Sequence, residues 1–182
     1  MPIDAAQTVP QMIPAWVEGV LTPVEKLAVH QRGLKHQAVS VFVMSGRYVL
    51  LQQRAAAKYH SGGKWSNTCC THPQWGEAFD ICAQRRLYEE MGIRGLSLLP
   101  VGQVEYRAEV GGGLIEHEVV ELYVAQCDRN LPLVLNPDEA QASRWIEFGA
   151  LKADVAANPD QYSAWLSIYL RDHSERISLT LS

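Results

Sequence analysis

Runs of apolar residues of strand length occupy the first third of the chain, and a four-residue apolar period marks its middle. Residues 12–18 are short, apolar and contain Trp16, which predicts a strand, and Gly19 with Thr22-Pro23 then turns into a short helix ending near His30. Residues 38–44 and 47–53 are β-branched or aliphatic runs around Ser45-Gly46, the signal of a two-residue hairpin. Residues 54–64 carry Ala56, Lys58, His60, Gly62 and Gly63 without a period and predict a loop able to bring side chains over a site.

A helix is predicted over residues 78–92, where Phe79, Ala83, Leu87 and Met91 recur every fourth residue as a core stripe. Cys82, Arg86 and Glu90 form a parallel stripe about 100° around the axis, so Arg86 and Glu90 share a face. Residues 101–110 and 114–127 flank Gly111-Gly112-Gly113 and read as a long antiparallel hairpin. With the three glycines as the loop, Val110 opposes Leu114, Tyr106 opposes Glu118 and Ala108 opposes Glu116, which turns Glu116 and Glu118 to the face of Tyr106. Residues 128–137 are a polar connection and 143–148 a short strand; 149–157 and 160–171 are helices broken by Asn158-Pro159. This mixture predicts an α+β or layered α/β/α domain with a mixed, largely antiparallel sheet.

At 182 residues, 47% apolar and 20% charged, the chain has the size of one globular domain, placed at residues 12–182 behind a polar, two-proline segment over residues 1–11 expected to lie loosely on the surface. A net charge of -4 and a pI near 5.8 give no footprint for nucleic acid or a membrane surface and leave a small anionic molecule as the candidate partner, bound by a monomer or weak homo-oligomer. Four unevenly spaced cysteines do not form a disulfide framework, and with no basic leader and no apolar run near the roughly 18 residues of a membrane span they point to a reducing cytoplasm.

The densest chemistry lies at Trp65-Ser66-Asn67-Thr68-Cys69-Cys70-Thr71-His72-Pro73, just before the helix that carries Arg86 and Glu90. His30, His36 and His72 with Glu116 and Glu118 offer nitrogen and oxygen ligands suited to Zn²⁺ or Mn²⁺, although histidines and glutamates scattered over a chain are ordinarily surface residues. Cys70 is either a catalytic thiol or, with Cys69, a small core residue. Lys26, Arg54, Lys58 and Arg86 are candidate phosphate contacts or solvated charges, and Trp165 a core aromatic or a cation-binding face.

Residues 76–93 also resemble a Nudix box, through Glu77, Arg85, Glu89, Glu90, Gly92 and Ile93, but Thr71 stands where the first glycine belongs and Arg86 replaces the first glutamate of the pair. Those departures, with Asn67 to Pro73, Gly76-Glu77, Tyr106-Arg107 and Glu116-His117-Glu118, closely resemble the type I isopentenyl-diphosphate delta-isomerases, from about Lys26 to Trp165. The resemblance implies a Nudix-like fold and an isomerase interconverting isopentenyl and dimethylallyl diphosphates. The alternatives are a Nudix-type diphosphate hydrolase and a metal-stabilised binding domain with an inert Cys70.

Carried over residue by residue, the resemblance implies that His30, His36, His72, Glu116 and Glu118 bind a divalent ion, Mn²⁺ or Zn²⁺. Glu90 and the Cys70 main-chain carbonyl match the family's ligands to a diphosphate-bound Mg²⁺, and Lys26, Arg54, Lys58 and Arg86 its diphosphate contacts. Cys70, Glu118 and Tyr106 match the catalytic groups, and Trp165 the aromatic over the isoprenoid carbons.

Overall fold

The computed structural model describes residues 9–179, and it is organised around one strand, β3. In chain order the strands are β1 (Met12–Val17), β2 (Val20–Glu25), β3 (Lys35–Ser45), β4 (Tyr48–Arg54), β5 (Trp65–Ser66), β6 (Cys69–Thr71), β7 (Leu99–Gly111), β8 (Leu114–Gln126) and β9 (Ala140–Glu147). The α-helices are α1 (Lys26–Arg32), α2 (Phe79–Met91), α3 (Phe148–Ala157), α4 (Ala164–Asp172) and α5 (Ser174–Ser178).

One edge of β3 pairs in parallel with β8 from Lys35↔His117 to Met44↔Gln126. Its other edge is shared in succession by β1 at His36, by β6 at residues 39–41 and by β4 at its far end, all antiparallel. Alternation along β3 then separates two cores. Ala38, Phe42 and Met44 face a cluster with Val120, Leu122, Leu166 and Tyr169, under α3, α4 and α5. Val39, Val41 and Val43 face the other side with Cys69, Cys82, Ala83, Leu87 and Met91, under α2. Helices cover both faces of a mixed sheet, so the layered α/β/α expectation holds.

The apolar stripe of α2 packs as its period requires, with Cys82 joining it. The helix stops at Gly92, whose φ of 71° is left-handed and whose added Cβ would lie 2.8 Å from the Val134 side chain. The following connection closes the helix end: the Val134 amide donates to the Met91 carbonyl and the Asn136 amide to that of Glu90.

In the β7/β8 hairpin Tyr106 opposes Glu118 and Ala108 opposes Glu116, the expected register. Its tip differs: Gly111 opposes Leu114, the ladder is irregular between Glu109 and Gly111, and the loop is Gly112-Gly113, both at positive φ as a two-residue primed turn requires. The β3/β4 turn likewise shifts by one, to Gly46-Arg47 between the Ser45↔Tyr48 pair.

Residues 20–25 form β2 rather than the start of a helix, and α1 begins at Lys26, because the Glu25 carboxylate accepts from the amides of Leu27 and Ala28 and caps it there. The short β5 and β6, with little periodicity to betray them, form inside the Trp65 to Thr71 run, and residues beyond Arg171 continue as α5. The helix expected over 160–171 starts only at Ala164, capped by Ser163, behind a 3₁₀ turn at Pro159–Gln161. The loose segment expected at residues 1–11 lies outside the described residues up to residue 8, while Gln11 accepts from the Lys26 amide through its carbonyl. Among the described residues no helix is long and apolar enough to cross a membrane.

Candidate active site

The elements that meet along β3 bring their polar residues to one end of the sheet. His36 opens β3 and pairs in register with Glu118 of β8, Glu116 lies two residues earlier on the same face, His72 follows β6, and His30 reaches in from α1. All five side chains are buried. The candidate ligand atoms of His30, His36, His72 and Glu116 lie within 4.8 Å of one another. Glu118 Oε1 adjoins them, 2.9 Å from His72 Nε2 and 3.7 Å from His36 Nε2.

The ring orientations show what these atoms are. His30 Nδ1 faces the Lys26 carbonyl at 2.6 Å and His36 Nδ1 the Leu34 carbonyl at 2.8 Å, so each Nδ1 carries the proton and each Nε2 presents a lone pair to the cluster. His36 Nε2 is 3.2 Å from both His72 Nε2 and Glu116 Oε2. His30 Nε2 is 3.1 Å from Glu116 Oε2 yet makes no aligned hydrogen bond. The Nε2 atoms of His30 and His36 thus face the Glu116 carboxylate in a dry setting, an arrangement compatible with a divalent cation. In the cation-free chain the carboxylates recruit a proton instead: burial opposes charge on His36, but hydrogen bonds to Glu116 and Glu118 outweigh it and raise its pKa to about 10.

A second group lies at the other end of the same cavity, where Lys26, Arg54, Lys58 and Arg86 converge. Arg86 bridges Glu90 Oε1 at 2.8 Å and Glu139 Oε1 at 3.0 Å, and Lys58 Nζ is 2.5 Å from Glu139 Oε2. Gln52 Nε2 donates to Glu90 Oε2 at 2.8 Å, holding a carboxylate that burial would otherwise leave underbonded. Burial, with Lys58 and Arg86 nearby, lowers the Lys26 ammonium to a pKa of about 8, although Glu139 and Glu90 oppose the shift.

Between the two groups stands Cys70. Its thiol donates to Asn67 Oδ1 at 2.9 Å, with Ser40 Oγ also at 2.9 Å, and burial pushes its pKa up to about 12, so the sulfur keeps its proton at neutral pH. Cys69, its neighbour on an extended strand, points the other way and is a small core residue packed beneath α2. Tyr106 Oη donates to Glu118 Oε2 at 2.7 Å, as the hairpin register requires. Trp165 lines the cavity with its indole N–H donating to Ser66 Oγ at 2.8 Å, and the Arg54 guanidinium lies 5.1 Å from its ring centroid.

Of the residues singled out from the sequence, Lys26, Arg54, Lys58, Cys70, His72, Arg86, Glu90, Glu116, Glu118 and Trp165 line one cavity, with His30, His36 and Tyr106 bonded to its carboxylates and Cys69 turned away from it. The structure adds two that were not: His60, whose Nε2 lies 2.9 Å from Glu116 Oε1, and Glu139, the partner of Lys58 and Arg86. For His60 the only signal was its place in a loop expected to reach over a site, and Glu139 carried none. His60 stands in an aperiodic loop and Glu139 beside a polar connection, and only the folded path brings them in.

Comparison with known proteins bears on the fold and the family. The NUDIX domain family matches residues 34–166, well over half the chain, which places the fold in that class. Among solved structures, DR0079 from Deinococcus radiodurans superposes with a TM-score of 0.71 at 14% identity, covering 88% of this chain and 97% of its own, a likeness of fold alone. Sequence relatives go further. The isopentenyl-diphosphate Delta-isomerase of Cereibacter sphaeroides is 57% identical over 92% of this chain and 95% of its own length. That of Roseobacter denitrificans is 58% identical over 91% and 94%. Within the NUDIX class the chain belongs to the type I isopentenyl-diphosphate Delta-isomerase family.

Proposed function

We propose that Cys70 and Glu118 are the proton-transferring pair with which this chain interconverts isopentenyl and dimethylallyl diphosphate. The isomerase activity is that of the family to which the chain belongs, and the residue roles rest on one observation. A single cavity is lined by the four cationic side chains of Lys26, Arg54, Lys58 and Arg86 together with the Cys70 thiol, the Glu118 carboxylate and the Trp165 ring. That layout suits an anionic head and an apolar tail.

Moving the double bond requires adding a proton to one alkene carbon and removing one from another, through a tertiary carbocation. A protonated Cys70 thiol can give or reclaim a proton at sulfur, and Glu118 can do the same at a carboxylate oxygen. Tyr106, donating to Glu118, orients that carboxylate and relays a proton to it. The Trp165 π-face stabilises the cation by about 2 kcal/mol in a dry pocket. Lys26, Arg54, Lys58 and Arg86 hold the diphosphate without cleaving it.

His30, His36, His72, Glu116 and Glu118 would hold a divalent ion, Mn²⁺ or Zn²⁺ by their nitrogen and oxygen donors, and Glu90 with the Cys70 carbonyl would hold Mg²⁺ beside the diphosphate. When bound, these ions supply positive charge that lowers the proton affinity of Glu118 and neutralises the diphosphate. Arg86 occupies the place of a carboxylate that Nudix hydrolysis uses and is itself tied to Glu90 and Glu139, which argues against a hydrolase. Four free cysteines fit a cytoplasmic setting.

Incubation with isopentenyl diphosphate tests the reading directly. Dimethylallyl diphosphate is the expected product. Free phosphate would instead identify a hydrolase, and an unchanged substrate an inert binding domain.

A further inference from the structure

We propose that His60 is a positioning residue for the metal cluster, donating from Nε2 to Oε1 of Glu116 so that Oε2 is held facing the three convergent histidines. The inference rests on the reading of that cluster as a divalent-metal site.

The two oxygens of Glu116 have different neighbours. Oε2 is 3.1 Å from His30 Nε2 and 3.2 Å from His36 Nε2, whereas Oε1 is 2.9 Å from His60 Nε2. His60 is not among the mutually close ligand atoms and meets the cluster through Oε1 of Glu116. A carboxylate on one bond to its chain can rotate; a donor fixed on one oxygen sets where the other points.

The segment carrying His60 is built to hold it there. Arg54 donates to the His60 carbonyl at 3.2 Å, and the Gly63 amide returns to the Arg54 carbonyl. Ser61 adopts a left-handed φ of 52°, and a Cβ on Gly62 would come within 2.5 Å of the Ala56 carbonyl oxygen. The ring is nearly sealed from solvent, with 4% of its side chain exposed. It packs edge-on against Trp165 at 5.8 Å between centroids and beside His30 at 5.7 Å, and so spans the cluster and the aromatic wall. Its Nδ1 is 3.3 Å from Ser61 Oγ.

Zn²⁺ affinity, measured by competition with a chromophoric chelator, tests the role without reference to turnover. His60→Phe keeps a ring and loses the donor, and is expected to bind Zn²⁺ about 10- to 100-fold more weakly than the unaltered chain. His60→Gln keeps a donor and should recover most of that loss, while the metal-free melting temperatures of the three proteins stay close. Should metal-free His60→Phe fail to fold, His60→Ser, too short to reach Oε1, replaces it with the same expectation. A wild-type affinity in the donor-less variant, or a loss in His60→Gln as deep as in His60→Phe, overturns the inference. Failure of the unaltered chain to bind Zn²⁺ would instead overturn the reading of the cluster as a metal site.

Discussion

The two ends of the cavity solve opposite electrostatic problems. At the His/Glu end, imidazole nitrogens and carboxylate oxygens from two strands, a helix and a loop converge in burial, an arrangement compatible with a divalent cation. At the basic end Lys58 and Arg86 already have partners in Glu90 and Glu139, which the proposed diphosphate would have to displace. An ion held at the first end would couple to folding, because the residues proposed to hold it come from distant segments, whereas changes at the second end should alter substrate binding and leave the fold alone.

The largest effect is expected between the two ends. Cys70→Ala should lower turnover by about 10²- to 10⁴-fold, the usual worth of a positioned acid or base, with metal content and substrate binding unchanged. Cys69→Ser, on the opposite face, should keep most of the activity. If Cys69→Ser were dead and Cys70→Ala active, the facing of the two thiols toward core and cavity would have no functional meaning.

Removing metal addresses the first end. Stripping the ion with a chelator should abolish turnover and lower the melting temperature by about 5–10 °C, given about 2.7 kcal/mol of linkage at a hundredfold excess over the dissociation constant. A melting curve and an activity both indifferent to chelation would erase the contrast between the ends. Glu90→Gln is the matching change at the second end: it should raise KM about tenfold and weaken Mg²⁺ binding, so that more Mg²⁺ is needed for activity, with the melting temperature moving by only a few degrees.

Tyr106→Phe keeps the ring and removes the hydroxyl that donates to Glu118. Steady-state kinetics should show kcat down by about tenfold with KM little changed, whereas a core tyrosine would cost only about 1 kcal/mol of stability and no specific rate. The smallest effect is a pH dependence. Lys26 is depressed to about 8, so its charge is present below that pH and lost above it, and since the diphosphate binds the charged form, KM should rise as pH climbs through about 8. Lys26→Arg should flatten that rise; an identical KM profile in both proteins would remove Lys26 from the diphosphate contacts.

Some of this was legible along the chain because it depends on local period. The stripe of α2, the opposed thiols of β6 and the pairing of Tyr106 with Glu118 all follow from repeats of 3.6 and 2 residues or from a glycine loop between two apolar runs. The one-residue error at each hairpin tip shows the limit of that logic, since bulges and turn types are settled by backbone geometry and sheet twist. The turn expected at Gly19 with Thr22-Pro23, leading into a short helix, gives way to strand β2 for a similar reason: Thr22-Pro23 is compatible with either, and pairing with β1 decides it.

By itself, then, the sequence determined the elements with a clear period and the residue types from which a thiol, metal-ligand and cation set could be assembled. The tertiary structure alone decided that β3 and β8 run parallel, which puts His36 beside Glu118, and that a structureless loop delivers His60 to Glu116 and a turn delivers Glu139 to Lys58. The physical reason is range. Local repeats are set by bonds between near neighbours, while these contacts join residues far apart in the chain, whose meeting depends on the whole sheet being paired and both of its faces being buried.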